Sequence, residues 1–106
     1  MTDCIFCQIV EGKIPGNFVY QDSEMIVIRD IHPQAPVHLL VITKKHISEL
    51  IEATDAIVSK MMAIAKKMIL EQKISDYRLV NNGQGAAVID HLHLHILGKV
   101  DSLRSL

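Results

Sequence analysis

The chain has 106 residues, 49% of them hydrophobic, with 11 lysines and arginines against 12 acidic residues. That length fits one domain, residues 1–106, with a core of its own, and a formal net charge of −1 excludes a protein that relies on polyanion attraction, such as a binder of nucleic acid polymers. No basic stretch leads into an apolar run, and nothing approaches the ~20 apolar residues of a membrane helix, so a cytoplasmic protein with no membrane partner is expected.

Asp3 is placed to cap a short first helix running to about Glu11, where Gly12 and Pro15 stop it. Phe18-Val19-Tyr20 and Met25-Ile26-Val27-Ile28 are β-formers on either side of Asp22-Ser23-Glu24, the pattern of a hairpin. Pro33 and Pro36 exclude regular structure through residues 31–36, because proline fixes φ and lacks a donor. Val37–Thr43 is a third strand, apolar enough to be central, and a short helix is expected near residues 47–52.

Thr54 or Asp55 begins a long helix that reaches about Lys73. On a helical wheel Ile57, Val58, Met61, Met62, Ile64, Ala65, Met68 and Ile69 fall in an arc of roughly 160°. Ser59, Lys60, Lys66, Lys67 and Lys73 lie opposite, so the helix packs on a sheet and keeps one wet face. Strands at residues 77–81 and 92–97 complete five, with Gly83 and Gly85 in the loop between them. The expected fold is α+β: a five-stranded, mostly antiparallel sheet with one long and one or two short helices to one side.

Side chains alternate along a strand, so His91, His93 and His95 share one face while Leu92, Leu94 and Ile96 share the other. Successive imidazoles then stand ~7 Å apart. A solvated polar face is the plain alternative, but three rings at strict alternation behind an apolar face point to chemistry. One chemistry makes the central ring a nucleophile toward phosphorus, with its neighbours donating to phosphate oxygens and the leaving group. Another converges two or three rings on a metal.

His91-Leu92-His93-Leu94-His95-Ile96-Leu97 resembles the HφHφHφφ signature, φ being apolar, of the histidine-triad family. The likeness extends over Cys4-Ile5-Phe6-Cys7-Gln8-Ile9-Val10 with Gly12-Lys13-Ile14-Pro15, and over Asp30-Ile31-His32-Pro33-Gln34-Ala35-Pro36-Val37-His38. It continues through Leu40-Val41-Ile42, Lys44-Lys45-His46-Ile47 and Tyr77-Arg78-Leu79-Val80-Asn81-Asn82, and so covers the chain from about Cys4 to Gly98. Within the family the chain is similar to the nucleotide-binding branch. That likeness implies hydrolysis of nucleoside 5′-phosphoramidates through a covalent nucleotidyl-histidine, in a homodimer whose two sheets join.

The resemblance makes His93 the nucleophile, its ring oriented by a main-chain carbonyl of the triad. It puts His95 against the phosphate and gives His38 a supporting place on the neighbouring strand. Asp30 would take the ribose hydroxyls, for which a carboxylate acceptor is suited. Ile5, Phe6, Ile9, Ile28 and Ile31 would line the base pocket, although composition alone makes them core. Asn82, or Asn81 in the other alignment, would bond near the phosphate.

Cys4 and Cys7 are the two cysteines, at a spacing that suits a metal half-site or a redox pair better than a staple. Several bacterial relatives combine such a pair with histidines matching His46 and His91 around a structural zinc, and the resemblance implies the same set here. No cofactor is implied for catalysis.

Two segments depart from the family. Where it carries Gly-Gln-Ser or Gly-Gln-Thr ahead of the triad, this chain has Ala86-Ala87-Val88, none of whose side chains donates a hydrogen bond. Residues 102–106 also lack the aromatic, proline-containing tail of the branch. The functional expectation is therefore a nucleotidyl-conjugate hydrolase. Set against it are a nucleotide-binding or protein-interaction module with little turnover, a dinucleoside polyphosphate hydrolase, and a metal hydrolase using the triad as ligands.

Overall fold

Val37–Thr43 has no polar-out alternation, which a strand covered on both faces does not need. The computed structural model, which describes residues 3–106, places this strand, β3, at the centre of five. It lies between β2 (Met25–Arg29) and β5 (His93–Gly98), with β1 (Phe18–Gln21) and β4 (Arg78–Val80) on the edges. All four pairings are antiparallel.

The register fixes which face each side chain takes. Ile42 opposes His93 and Leu40 opposes His95 across β3 and β5, so these four share a face. On the other face Met25, Val27, Leu39, Val41, Leu94 and Ile96 pack against Met61, Ile64, Ala65 and Met68 of α2 (Asp55–Glu71). Behind them, Ile26, Ile28, Leu40 and Ile42 pack against Phe6 and Ile9 of α1 (Ile5–Val10). The two helices therefore cover opposite faces, not one side as their composition suggested. The apolar run of α1 is too short to reveal which face it seeks.

Local boundaries differ from the sequence reading at several element ends. Cys4, not Asp3, caps α1, its Sγ accepting from the Cys7 N–H at 3.5 Å. Thr54 caps α2 through a 3.2 Å bond from the Ile57 N–H. That helix ends at Glu71, and Lys73 follows with a left-handed backbone. Lys60 does not stay on the wet face alone: its Nζ reaches Glu24 at 2.9 Å and Asp22 at 3.4 Å, tying α2 to the β1–β2 turn. The expected helix at residues 47–52 is a single 3₁₀ turn, Leu50–Glu52.

Gly98 closes β5 where two elements crowd it. A Cβ there would lie 2.6 Å from Ile74 Cγ2 and 2.8 Å from Val37 Cβ, so only glycine fits. Among the described residues, no helix is long and apolar enough to cross a membrane.

Candidate active site

Strand β5 starts at His93, two residues later than the alternating pattern required of the first histidine. The cause is the Leu92 N–H, which donates to the Ile47 carbonyl at 2.7 Å instead of extending the ladder. His91 keeps the α1 face, where its ring meets Phe6, Cys4 and Cys7, but it lies outside the strand and reaches toward the end of β3. His93 and His95 remain on the α1 face, and His38 joins them diagonally from β3.

Hydrogen-bond complementarity assigns each ring its tautomer. The Gln34 N–H donates to His38 Nδ1 at 3.0 Å, so the proton of a neutral His38 sits on Nε2. That Nε2–H donates to His95 Nδ1 at 2.9 Å, which leaves the proton of a neutral His95 on its own Nε2. His93 Nδ1–H donates to the His91 carbonyl at 2.7 Å, so His93 Nε2 holds a lone pair. Burial holds His38 below the ordinary histidine range, with Asp30 opposing and Arg104 reinforcing. Burial, then the neighbouring His93 and His38, pushes His95 down to about 4, so the relay is neutral near pH 7.

Asp30 follows directly on β2 and stands beside this relay. Its Oδ2 lies 3.4 Å from His38 Nε2, while Oδ1 accepts from the His32 N–H at 2.8 Å. The expected base-pocket residues separate into two groups. Phe6, Ile9 and Ile28 are buried, and Phe6 meets the His93 ring edge-on at a centroid distance of 4.9 Å. Ile5 and Ile31 offer exposed apolar surface, Ile31 at 83%. Asn81 directs its amide to the His93 carbonyl at 3.0 Å, and Asn82 is half-buried beside it. In the loop before the triad, the Ala86 and Ala87 N–H groups both donate to the Gly83 carbonyl at 3.0 Å, and Val88 is 99% exposed.

The remaining histidine belongs to a second cluster. His91 Nε2–H donates to the Thr43 carbonyl at 2.7 Å, which leaves the Nδ1 lone pair 3.2 Å from Cys4 Sγ and 3.5 Å from Cys7 Sγ. His46 Nδ1 lies 3.2 Å from Cys7 Sγ, and the four ligand atoms are all within 4.8 Å of one another. Tetrahedral zinc bonds of about 2.3 Å to sulfur and 2.0–2.1 Å to nitrogen separate ligand atoms by roughly 3.3–3.8 Å. The donor types, spacing and tautomer of this set fit a zinc ion. Burial lowers the His91 pKa, opposed by the Thr43 carbonyl, so its ring stays neutral as a ligand must.

Asp30, His38 and His95 also bring ligand atoms within 4.8 Å. There the Gln34 N–H occupies His38 Nδ1, so His38 Nε2 must keep its proton and cannot coordinate while neutral. That trio is built as a hydrogen-bond relay. The groups that sequence reasoning missed, the Gln34 N–H and the Thr43 carbonyl, are main-chain atoms that carry no side-chain signal.

Over residues 3–105 the chain matches the family model described as "Scavenger mRNA decapping enzyme C-term binding". It is also 38% identical over 104 residues to Protein HitA of Neisseria gonorrhoeae, a match that covers 92% of this chain and 97% of HitA. The chain belongs to the histidine-triad (HIT) family. Among solved HIT structures, it is similar to a HIT family hydrolase from Legionella pneumophila Philadelphia 1, with 39% identity and a TM-score of 0.86 over 93% of this chain and 95% of that one. A Zn-bound histidine triad family protein from Mycobacterium smegmatis aligns with 28% identity and a TM-score of 0.86 over 96% of this chain and 78% of that one. The α+β architecture, with its five-stranded antiparallel sheet and one long helix, is thus the HIT fold of known hydrolases.

Proposed function

We propose that this HIT protein hydrolyses nucleoside 5′-phosphoramidates or related AMP–N conjugates through a nucleotidyl-His93 intermediate. One observation carries the reading: the bond from His93 Nδ1–H to the His91 carbonyl leaves Nε2 as a lone-pair nucleophile on a buried, held ring. Nε2 attacks phosphorus as the P–N bond breaks, the amine leaves with a proton taken from solvent, and neutral His95 donates a hydrogen bond from Nε2–H to a phosphate oxygen. Water then attacks the phosphorus, the P–Nε2 bond breaks with its electron pair returning to His93, the water's proton passes to solvent, and the nucleoside monophosphate leaves. Asp30 receives the ribose hydroxyls, Ile5, Phe6 and Ile31 with Ile9 and Ile28 behind them form the base wall, and Asn82 approaches the phosphate.

The protein works as a single domain in the cytoplasm, with zinc held by Cys4, Cys7, His46 and His91 in a structural role. It pairs as a homodimer through the outer edge of β4, next to which Tyr77 is exposed at 52%. A binding module with little turnover is the second reading, favoured by the loop before the triad, which holds no hydroxyl.

The test is hydrolysis of adenosine 5′-phosphoramidate by the intact protein and by His93→Ala. AMP release that disappears in the variant supports the enzyme. No release from folded wild type moves the assignment to the binding module.

A further inference from the structure

The segment after β5 is not a loose end. The Leu103 N–H donates to Asp101 Oδ1 at 2.9 Å, and the Arg104 N–H to the Asp101 carbonyl at 3.0 Å, closing a turn. Arg78 of β4 then grips that turn from outside, Nη2 donating to the Arg104 carbonyl at 2.8 Å and Nη1 to the Ser105 carbonyl at 3.3 Å. So held, Arg104 extends its guanidinium across to the loop between β2 and β3 and donates from Nη1 to the Gln34 carbonyl. Gln34 is the residue whose N–H fixes the tautomer of His38.

We propose that Arg104 is a positioning residue for the catalytic relay: by pinning Gln34, it keeps the His38 proton on Nε2 and thereby sets the donor of His95. The chain of contacts is continuous from Arg78 through Arg104, Gln34 and His38 to His95. The loop from Asp30 to Val37 needs such an anchor. Between its ends, residues 31–36 have no strand ladder, and the loop's other ties are short-range: the Asp30 N–H to the His38 carbonyl, Asp30 Oδ2 beside His38, the His32 N–H to Asp30 and the Gln34 amide to the His32 carbonyl. If the loop relaxes, the Gln34 N–H leaves Nδ1, and His38 becomes free to carry its proton on either nitrogen. With the proton on Nδ1, His38 can no longer donate to His95, and His95 loses the bond that keeps its own proton on Nε2. The titratable and charged groups that face His38 are Asp30 from the end of β2, neutral His95 from β5 and Arg104 from this turn. A cation near His38 also discourages its protonation, so the tether and the charge of Arg104 act in the same direction.

The inference rests on the relay serving the proposed hydrolysis, and its primary readout does not depend on turnover. The imidazole ¹⁵N shifts of His38 and His95 are measured by NMR in the full chain near pH 7, for wild type, Arg104→Gln, Arg104→Lys and Arg78→Gln. In wild type, His38 is expected to show protonated Nε2 and bare Nδ1. Arg104→Gln and Arg78→Gln shift His38 toward averaged tautomers, and Arg104→Lys restores part of the wild-type signal. With adenosine 5′-phosphoramidate, kcat in Arg104→Gln falls about five-fold, the equivalent of one lost hydrogen bond, while KM holds. Unchanged His38 shifts in Arg104→Gln overturn the proposal whatever turnover does. A wild type that shows the ordered tautomer but no turnover counts against the hydrolase reading and not against the tether.

Discussion

His91 meets His93 through its main-chain carbonyl, 2.7 Å from His93 Nδ1, while its own ring faces Cys4 and Cys7. One residue thus serves both clusters: its side chain completes the Cys₂His₂ set and its backbone orients His93, the proposed nucleophile. Loss of a zinc ion from that set is therefore expected to disturb the His93 ring as well as the fold.

Protein purified without chelator is expected to contain about one zinc per chain by elemental analysis. Stripping the metal, or replacing Cys7 with serine, should lower the thermal midpoint by about 10 °C or more, because a ligand that binds only the folded state stabilises it. Turnover should fall with it, since the His91 carbonyl moves when its ring is released. A metal content far below one per chain, with an unchanged midpoint after chelation, would remove zinc from the account.

Asn81 gives a sharper test of position. Its amide bonds the His93 carbonyl at 3.0 Å, joining the end of β4 to the backbone of His93 itself. Asn81→Ala is expected to lower stability by about 1 kcal/mol, the net worth of one such bond. It should depress kcat with KM nearly constant. A rise in KM with kcat intact would instead place Asn81 against the substrate phosphate.

Much of this arrangement was legible because it depends on short-range pattern. The hairpin around Asp22, the central place of β3, the Thr54 cap and the alternation that puts His93 and His95 on one face all follow from residue type and period. What was not legible depends on main-chain atoms distant in sequence. His91 lies outside β5 and joins the cysteines because Leu92 bonds the Ile47 carbonyl and the His91 ring bonds that of Thr43, and neither acceptor has a side-chain signature. Nothing in the sequence singles out Arg104, because its partner Gln34 lies 70 residues away. The side taken by α1 was hidden for a similar reason. Phe6 and Ile9 could pack on either face until the histidines and Ile26, Ile28, Leu40 and Ile42 are seen together.

Acid should destabilise the protein over a defined window. The folded-state pKa of His95 lies at about 4, and His38 is also lowered, whereas an unfolded imidazole titrates near 6.5. Between about pH 6.5 and pH 4 the unfolded chain therefore binds more protons, and stability falls as pH falls. Above that window this contribution is fully present. Urea unfolding midpoints at pH 7 and pH 4.5 should show the decline, with a shallower one in His95→Asn. Equal slopes for the two proteins would show that His95 is not the titrating group.

Val88 offers a gain-of-function experiment. Its side chain is 99% exposed, so Val88→Ser removes no packing and should leave the unfolding midpoint within a few tenths of a kcal/mol of wild type. The substitution restores a hydroxyl to the loop that precedes the triad, where the chain has none between Gly83 and Asp90. A preorganised donor of this kind is worth ~2.7–4 kcal/mol in the transition state, or ~100- to 1,000-fold in rate. Because an exposed loop is imperfectly preorganised, a rise of about 10-fold in kcat on adenosine 5′-phosphoramidate is the expected outcome. An unchanged kcat would mean that the loop stands away from the phosphorus during turnover, and that Gln84 or a main-chain N–H supplies the donor that relatives draw from serine.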